Sequence, residues 1–330
     1  MKWITYLSDR WCTLNEFRKD YVLNRWVAIA PERAKRPDEF KIEPMPAPPA
    51  KTCPFCPDKN QEGVIEEVGN PWHVKVIANK YPIVRPNTPL DADVNFYSNM
   101  TAHGHHEVII ETDKHSTLIQ DLPKDEFMDI VNTYINRIKA LRSDSEYVLV
   151  FKNHGKWAGA SIYHEHAQVL TIPFVPNTIA MERKNSEEYY TKYNRCIYCD
   201  VIKKERETER FVYESNKFIV IAPYASRFAG ELWILPKEHV SDIVLLKKEE
   251  IAELAHTLQT VLKGYDQLLD DPPYNYVIHT SDKMDAYHFH IEIYPRLQRP
   301  ASVEFGTGMF VNVLSPEVFA KDMRGVIDDL

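Results

Sequence analysis

The stretch Phe151 to Pro173, FKNHGKWAGASIYHEHAQVLTIP, ends in an H-x-H-x-Q run of His164, His166 and Gln168 among β-prone residues. Alternate residues of a strand share one face, so the three side chains would line up in a row. Neighbours in that row sit roughly 6.5 Å apart, from a rise of about 3.3 Å per residue. One metal ion can hardly take both histidines along a straight strand, which suggests one histidine for structure and one for chemistry. Just upstream, Gly155, Gly159 and Ser161 make a loop in which backbone N–H groups and a hydroxyl can approach a phosphate. Taken alone, the same letters would also suit a surface strand with chance histidines.

The rest of the chain decides between these readings, because the pattern occurs twice. From His115 to His164 is 49 residues, and from His239 to His288 is also 49. From Glu107 to His115 is 8, and from Glu231 to His239 is also 8. Each half reads as C-x-x-C, strands, a histidine, a helix, a strand and H-x-H, the mark of an internal duplication. In the first half the strands are expected at Arg25–Ala30, 73–78, Glu107–Glu111 and Tyr147–Phe151. A helix is expected over Pro123–Leu141, with Phe127, Ile130, Val131, Tyr134, Ile135 and Ile138 at helical spacing. Asn87–Gly104 reads as a loop and Ala180–Asn194 as a polar linking helix. In the second half strands are expected at Lys217–Ala222, Glu231–Leu235 and Tyr274–Thr280, and a helix at Lys248–Leu269. The fold class expected is α+β, two halves of 1–185 and 186–330 with a largely antiparallel sheet and packed helices.

Composition narrows the function. The chain has 330 residues, 44% apolar and 27% charged, with a net charge of -8. That balance fits a globular protein and argues against a general nucleic-acid or membrane-surface binder. No apolar run reaches the roughly 18 residues of a membrane span. The N-terminus has neither an h-region nor a small-residue cleavage site, so a cytoplasmic location is expected.

Four of the five cysteines form C-x-x-C pairs, Cys53/Cys56 and Cys196/Cys199; Cys12 stands alone. In a reducing compartment such pairs are metal ligands more often than disulfides. Each half offers two thiolates and at least two imidazoles, the donor set of a closed tetrahedral zinc site. The sets are Cys53, Cys56, His115 and His164, then Cys196, Cys199, His239 and His288. Spacing leaves open which histidine of each H-x-H takes part. Two zinc ions per chain are expected, both structural, since four protein ligands leave no open position.

Several motifs together resemble the galactose-1-phosphate uridylyltransferases of the histidine-triad superfamily. They are Arg33-Ala-Lys-Arg36-Pro, Cys53-Pro-Phe-Cys56, Asn79, Asp113-Lys-His115-Ser, Asn153, Gly159, Ser161 and His164-Glu-His166-Ala-Gln168. The resemblance implies a homodimer of two related halves in which His166 is the nucleophile and His164 a metal ligand. Gln168 would then hydrogen-bond a phosphoryl oxygen, Asn153 and Ser161 would donate to phosphates, and Arg33 and Arg36 would neutralise their charge. Asn79 and Gly159 would complete the substrate site, and Glu304 matches a glutamate that contacts the sugar. Two features depart from the best-known bacterial enzyme. That enzyme builds its second metal site from a glutamate and histidines, where this chain offers Cys196 and Cys199. The segment VEFGTGMFVN, Val303–Asn312, resembles shorter relatives instead, one of which is an ADP-glucose phosphorylase.

The resemblance implies exchange of UMP between UDP-glucose and galactose 1-phosphate through a nucleotidyl-histidine, with UDP-galactose as the other nucleotide sugar. An adenylyltransferase or ADP-glucose phosphorylase on the same scaffold is the alternative. A non-enzymatic, zinc-organised binding module is a third reading, which leaves His166 and Gln168 without a role. In the second copy Glu292 stands where the first has Gln168, and a carboxylate there would repel a phosphate.

Overall fold

The computed structural model describes residues 14–35, 48–282 and 284–330. Cys12 and Arg36 lie outside them. In chain order the strands are β1 (Glu16–Lys19), β2 (Trp26–Ile29), β3 (Val64–Gly69), β4 (Trp72–Ala78), β5 (Ala92–Asp93), β6 (Asn99–Met100) and β7 (His106–Ile110). Helix α1 (Lys124–Leu141), β8 (Tyr147–His154), β9 (His166–Ile172), α2 (Asn177–Tyr193) and α3 (Ile197–Glu205) follow. Next come β10 (Phe211–Glu214), β11 (Phe218–Ile221), β12 (Leu232–Pro236), α4 (Lys248–Leu269), β13 (Tyr274–His279) and β14 (His290–Pro295). The chain ends with α5 (Ser302–Thr307), β15 (Phe310–Asn312) and α6 (Pro316–Asp328).

Ten strands form one sheet in the order β10-β11-β12-β14-β13-β8-β9-β7-β4-β3, antiparallel throughout. Read from its two edges inward, the order is the same supersecondary unit twice, joined where β8 pairs β13. The join is centred near the facing pairs Phe151–Val277 and Asn153–Asn275. The repeat interval is 124 residues: His115 recurs as His239, His164 as His288, and the first residues of α1 and α4 are Lys124 and Lys248. The expected duplication and antiparallel sheet are therefore present.

Helices α1, α4 and α6 cover one face. Phe127, Ile130, Val131, Tyr134, Ile135 and Ile138 of α1 are all buried there, in a core shared with α4 and both halves of the sheet. Each such side chain contributes about 1.5–3 kcal/mol, so the apolar stripe that marks the helix in sequence also holds it to the sheet. The opposite face carries the cysteine loops. Cys53, Phe55 and Cys56 pack on Ile77, Val108 and Ile110, while Cys196, Ile197 and Tyr198 pack with Ile219, Ile221, Trp233 and Leu235.

Some expectations shift. His164 lies just before β9, which starts at His166, so the three residues do not form one straight row. The 87–104 loop carries a small ribbon, β5 with β6. Helix α2 is more than a linker, because Glu182 is buried on its inner side. The strand β15 pairs in parallel with β2, bringing opposite ends of the chain into a separate three-stranded sheet.

Candidate active site

The two cysteine loops build matching clusters. In the first, Cys53 Sγ lies 3.5 Å from His164 Nδ1, and Cys56 Sγ lies 3.3 Å from His115 Nδ1 and 3.9 Å from His164 Nδ1. In the second, Cys196 Sγ is 3.8 Å from His288 Nδ1, and Cys199 Sγ is 3.6 Å from His239 Nδ1 and 3.7 Å from His288 Nδ1. A tetrahedral zinc with Zn–S of about 2.3 Å and Zn–N of about 2.0–2.1 Å separates S from N by about 3.6 Å. All four histidines aim Nε2 at a backbone carbonyl: His115 at Pro48, His164 at Thr112, His239 at Asp285 and His288 at Pro236. A carbonyl only accepts, so Nε2 carries the proton and Nδ1 is free to ligate, the usual outer support of a metal-binding imidazole. Both groups could hold a metal ion, and in each the first histidine of H-x-H takes part.

His166, left outside the first cluster, is buried at 7% exposure. Its Nδ1 lies 2.8 Å from the His164 carbonyl, so the proton sits on Nδ1 and the lone pair on Nε2. Burial, helped by the charge of Lys152, pushes its pKa down to about 4, which keeps the ring neutral. The ring of Phe55, from the CPFC loop, packs edge-on at 5.2 Å. The cysteine loop thus sets one wall beside His166.

Gln168 points from the same face of β9. Its Oε1 accepts from His106 Nε2 at 2.9 Å and from Asn79 Nδ2 at 3.3 Å. The Ile83 N–H donates to His106 Nδ1 at 3.0 Å, which places the ring proton on Nε2. With its oxygen taken, Gln168 has its NH2 group left to donate. His106 was not singled out in the sequence. It sits in the run His103-Gly-His-His106, and the sheet register puts Glu231 rather than a histidine at its place in the second half, so the repeat hides it.

Behind β9, on the helix face, lies a buried charge network. Lys152 pairs with Glu111 and Glu165, and its Nζ also reaches the His166 carbonyl at 3.4 Å. Tyr134 donates to Glu111. His154 bridges Glu165 and Asp271, at 2.8 Å each. Burial opposes the His154 charge, but Glu165 and Asp271 outweigh it and raise its pKa to about 9. Burial likewise opposes the Glu165 charge, and Lys152 and His154 overcome it, holding that carboxyl well below its usual range.

The predicted substrate residues fall into two places. Asn79, Asn153 and Gly159 gather near Gln168 and the 155–161 loop, and Ser161 is exposed at the end of that loop. Gly155, at φ 78°, has no room for a side chain, since a Cβ there would meet Pro273 Cβ at 2.8 Å. Arg33 and Glu304 instead line a cleft of about 320 Å³ in the C-terminal half, with Arg227, Phe228, Arg299 and Phe310. The Glu304 carboxylate accepts from Ala301 N at 2.8 Å and Val311 N at 3.3 Å, holding the VEFGTGMFV turn.

In the second half a third group, Glu182, His279, His290 and Glu292, gathers its donor atoms within 4.8 Å. Three of its four carboxylate oxygens are matched, while Glu292 Oε1 and the facing His290 Nε2 have no hydrogen-bond partner among the described residues. Arg227 Nη2 lies 2.6 Å from Glu292, and Glu182 accepts from Tyr287 at 2.6 Å and faces His279 Nδ1 at 3.1 Å.

Family models extend these observations. Residues 8–176 match galactose-1-phosphate uridyl transferase, N-terminal domain, and residues 182–312 match its C-terminal domain. The chain belongs to the galactose-1-phosphate uridyl transferase family. An ADP-glucose phosphorylase of Arabidopsis thaliana is 35% identical, over 94% of this chain and 93% of that protein. A galactose-1-phosphate uridylyltransferase of Thermotoga maritima is 30% identical, over 94% and 98%. The crystal structure of an Arabidopsis thaliana ADP-glucose phosphorylase with bound ADP-glucose superposes with a TM-score of 0.82. It shares 32% identity and covers 94% of this chain and 99% of that one. A uridylyltransferase structure superposes at 0.75 with 27% identity, over 96% and 99%. The protein is thus an enzyme of this nucleotidyltransferase family. Among the described residues, no helix is long and apolar enough to cross a membrane.

Proposed function

We propose that the enzyme carries a nucleoside monophosphate on His166 and passes it between a nucleotide sugar and a sugar 1-phosphate. The observation that carries this reading is the His166 tautomer: Nδ1–H rests on the His164 carbonyl, which leaves the lone pair on Nε2, with Gln168 on the same face of β9. Nε2 attacks the α-phosphorus; a P–N bond forms as the bond to the sugar-phosphate oxygen breaks, and the sugar 1-phosphate leaves. An oxygen of the incoming sugar 1-phosphate then attacks the same phosphorus and the P–N bond breaks, regenerating neutral imidazole. Gln168, its oxygen held by His106 and Asn79, donates its amide N–H to a phosphoryl oxygen in both steps. Asn153, Ser161 and the Gly159 loop hold the phosphates.

The substrate pair proposed first is UDP-glucose with galactose 1-phosphate. Phosphorolysis of ADP-glucose is the second reading, favoured by the 35% identical relative and the superposed structure with ADP-glucose bound. Purified protein incubated with UDP-glucose or ADP-glucose, each labelled in the α-phosphate, separates them: the correct nucleotide stays attached. If neither label is retained, the covalent reading fails.

The two cysteine-histidine clusters are read as two zinc sites per chain. Closed by four protein ligands, zinc there supplies structure, fixing the CPFC loop and with it Phe55 against His166. Metal analysis of unchelated protein should find about two zinc ions per chain, and one or none would contradict this. The cleft that joins Arg33 to Glu304 contains none of His166, Gln168 and Asn153. That separation supports a homodimer in which Arg33 and Arg36 serve the neighbour's phosphate site. Full activity in a monomer by sedimentation would rule out the shared site. The 1–185 half is read as the catalytic one and the 186–330 half as its support, in a cytoplasmic enzyme.

A further inference from the structure

The strands that join the halves, β8 and β13, set Asn153 directly opposite Asn275. Asn275 Nδ2 donates to the Ala158 carbonyl at 2.8 Å and to Asn153 Oδ1 at 2.7 Å. A carbonyl only accepts, so the Asn275 amide must present its NH2 on this side. On its other side Arg296 Nη1 approaches Asn275 Oδ1 at 3.4 Å, and a guanidinium only donates. Both ends of the Asn275 amide are therefore assigned by groups that cannot reverse roles. Asn153 must then turn its oxygen toward Asn275, leaving its NH2 toward the phosphate loop. Asn153 Nδ2 is 3.9 Å from the position a Cβ would take at Gly159.

The duplication supplies an internal control. Adding the 124-residue interval to Asn153 gives Val277, and subtracting it from Asn275 gives Phe151; these two also face each other across the join. The equivalent pair in the second copy is thus apolar. The amide pair stands only on the side that carries the glycine loop.

We propose that Asn275, contributed by the C-terminal half, is a positioning residue for nucleotidyl transfer: its amide holds Asn153 with the N–H donors turned toward the phosphate loop. Without it Asn153 can rotate half a turn and present an oxygen to an anion. The inference rests on the reading of Asn153 as a phosphate donor.

A double-mutant cycle tests it, read by isotope exchange between nucleotide sugar and its sugar 1-phosphate. Asn153→Ala should lower kcat/KM by about tenfold to a hundredfold, the loss expected for a hydrogen bond to a charged group. Asn275→Leu, close in volume and uncharged, should lose a similar factor at an unchanged melting temperature. The double variant should be no slower than Asn153→Ala alone, because Asn275 acts through Asn153. An Asn275→Leu enzyme with full exchange would overturn the proposal. So would a double variant showing the product of both losses, which would mean that Asn275 serves only the Ala158 carbonyl. If Asn153→Ala is itself silent, the donor reading falls and takes this inference with it. Should Asn275→Leu not fold, Asn275→Ala in the same cycle gives the same decision.

Discussion

His166 and His290 occupy equivalent places in the two halves, and each rests its Nδ1 on the carbonyl two residues back, at 2.8 and 3.0 Å. Their surroundings differ. Charge lies behind His166, where Lys152, Glu111 and Glu165 sit beneath the sheet, and the face in front carries the uncharged Gln168, Asn79 and Asn153. The counterparts of Lys152 and Glu165 are Tyr276 and Phe289, both buried and uncharged. In front of His290, however, stand Glu292, Glu182, His279 and Arg227, with Tyr198 at 4.9 Å and Trp233 at 5.4 Å between ring centroids. His290 is fully buried. One strand–helix unit thus keeps an uncharged face around its histidine when its charge is placed behind the sheet. The same unit becomes a sealed structural cluster when the charge is placed in front.

The largest effect should come from exchanging the fates of these two histidines. His166→Ala should abolish nucleotide exchange, lowering it by about a thousandfold or more, with fold and metal content intact. His290→Ala should leave exchange within a few-fold of the parent and act on thermal stability instead. Equal losses in both variants would break the comparison. Next in size, Arg227→Met leaves Glu231 and Glu292 buried without their cation. Urea unfolding should show a loss of about 3–5 kcal/mol, the cost of a buried charge stripped of its partner. A loss under about 1 kcal/mol would mean that the cluster is held by something else, such as a bound cation.

The network behind His166 should show itself in pH dependence. The His154 pKa is about 9 in the folded protein, above its ordinary value near 6.5. A raised folded pKa adds stability that is complete below about pH 6.5 and is lost as the pH climbs through 9. The parent should therefore lose no more than about 3 kcal/mol over that window relative to His154→Gln. A constant difference between the two melting curves from pH 6 to 9.5 would contradict the pairing. The smallest effect expected is that of His106→Leu. Freed from His106, Gln168 keeps Asn79 but loses its better donor, and kcat should fall about tenfold with KM little changed. His106→Gln, which can still donate, should recover part of the loss.

What could be read from the letters follows from which interactions are local. The apolar stripe of α1 and both cysteine-histidine sets depend on fixed spacings, and the bounds expected for α4, Lys248–Leu269, are those observed. The pairing of β8 with β13 depends on residues more than a hundred positions apart, and no local pattern records it. Lys152 and Glu165 carry no spacing signal in the sequence, yet both are buried because they neutralise each other. Glu182 was lost in the same way, since a polar helix reads as a solvated linker until His279 and Tyr287 come to meet it. Arg33 and Glu304 were singled out separately, and only the folded chain puts them in one cleft.

The central claim is that one histidine of the duplicated pair carries the nucleotide. The most direct measurement is peptide mapping by mass spectrometry after the protein is mixed with a nucleotide sugar alone and quenched in alkali, where phosphohistidine survives. The account predicts a nucleoside monophosphate adduct on the peptide containing His166, none on the peptide containing His290, and release of the label when a sugar 1-phosphate or phosphate acceptor is added. An adduct on His290, or an active enzyme that never carries one on His166, would contradict it.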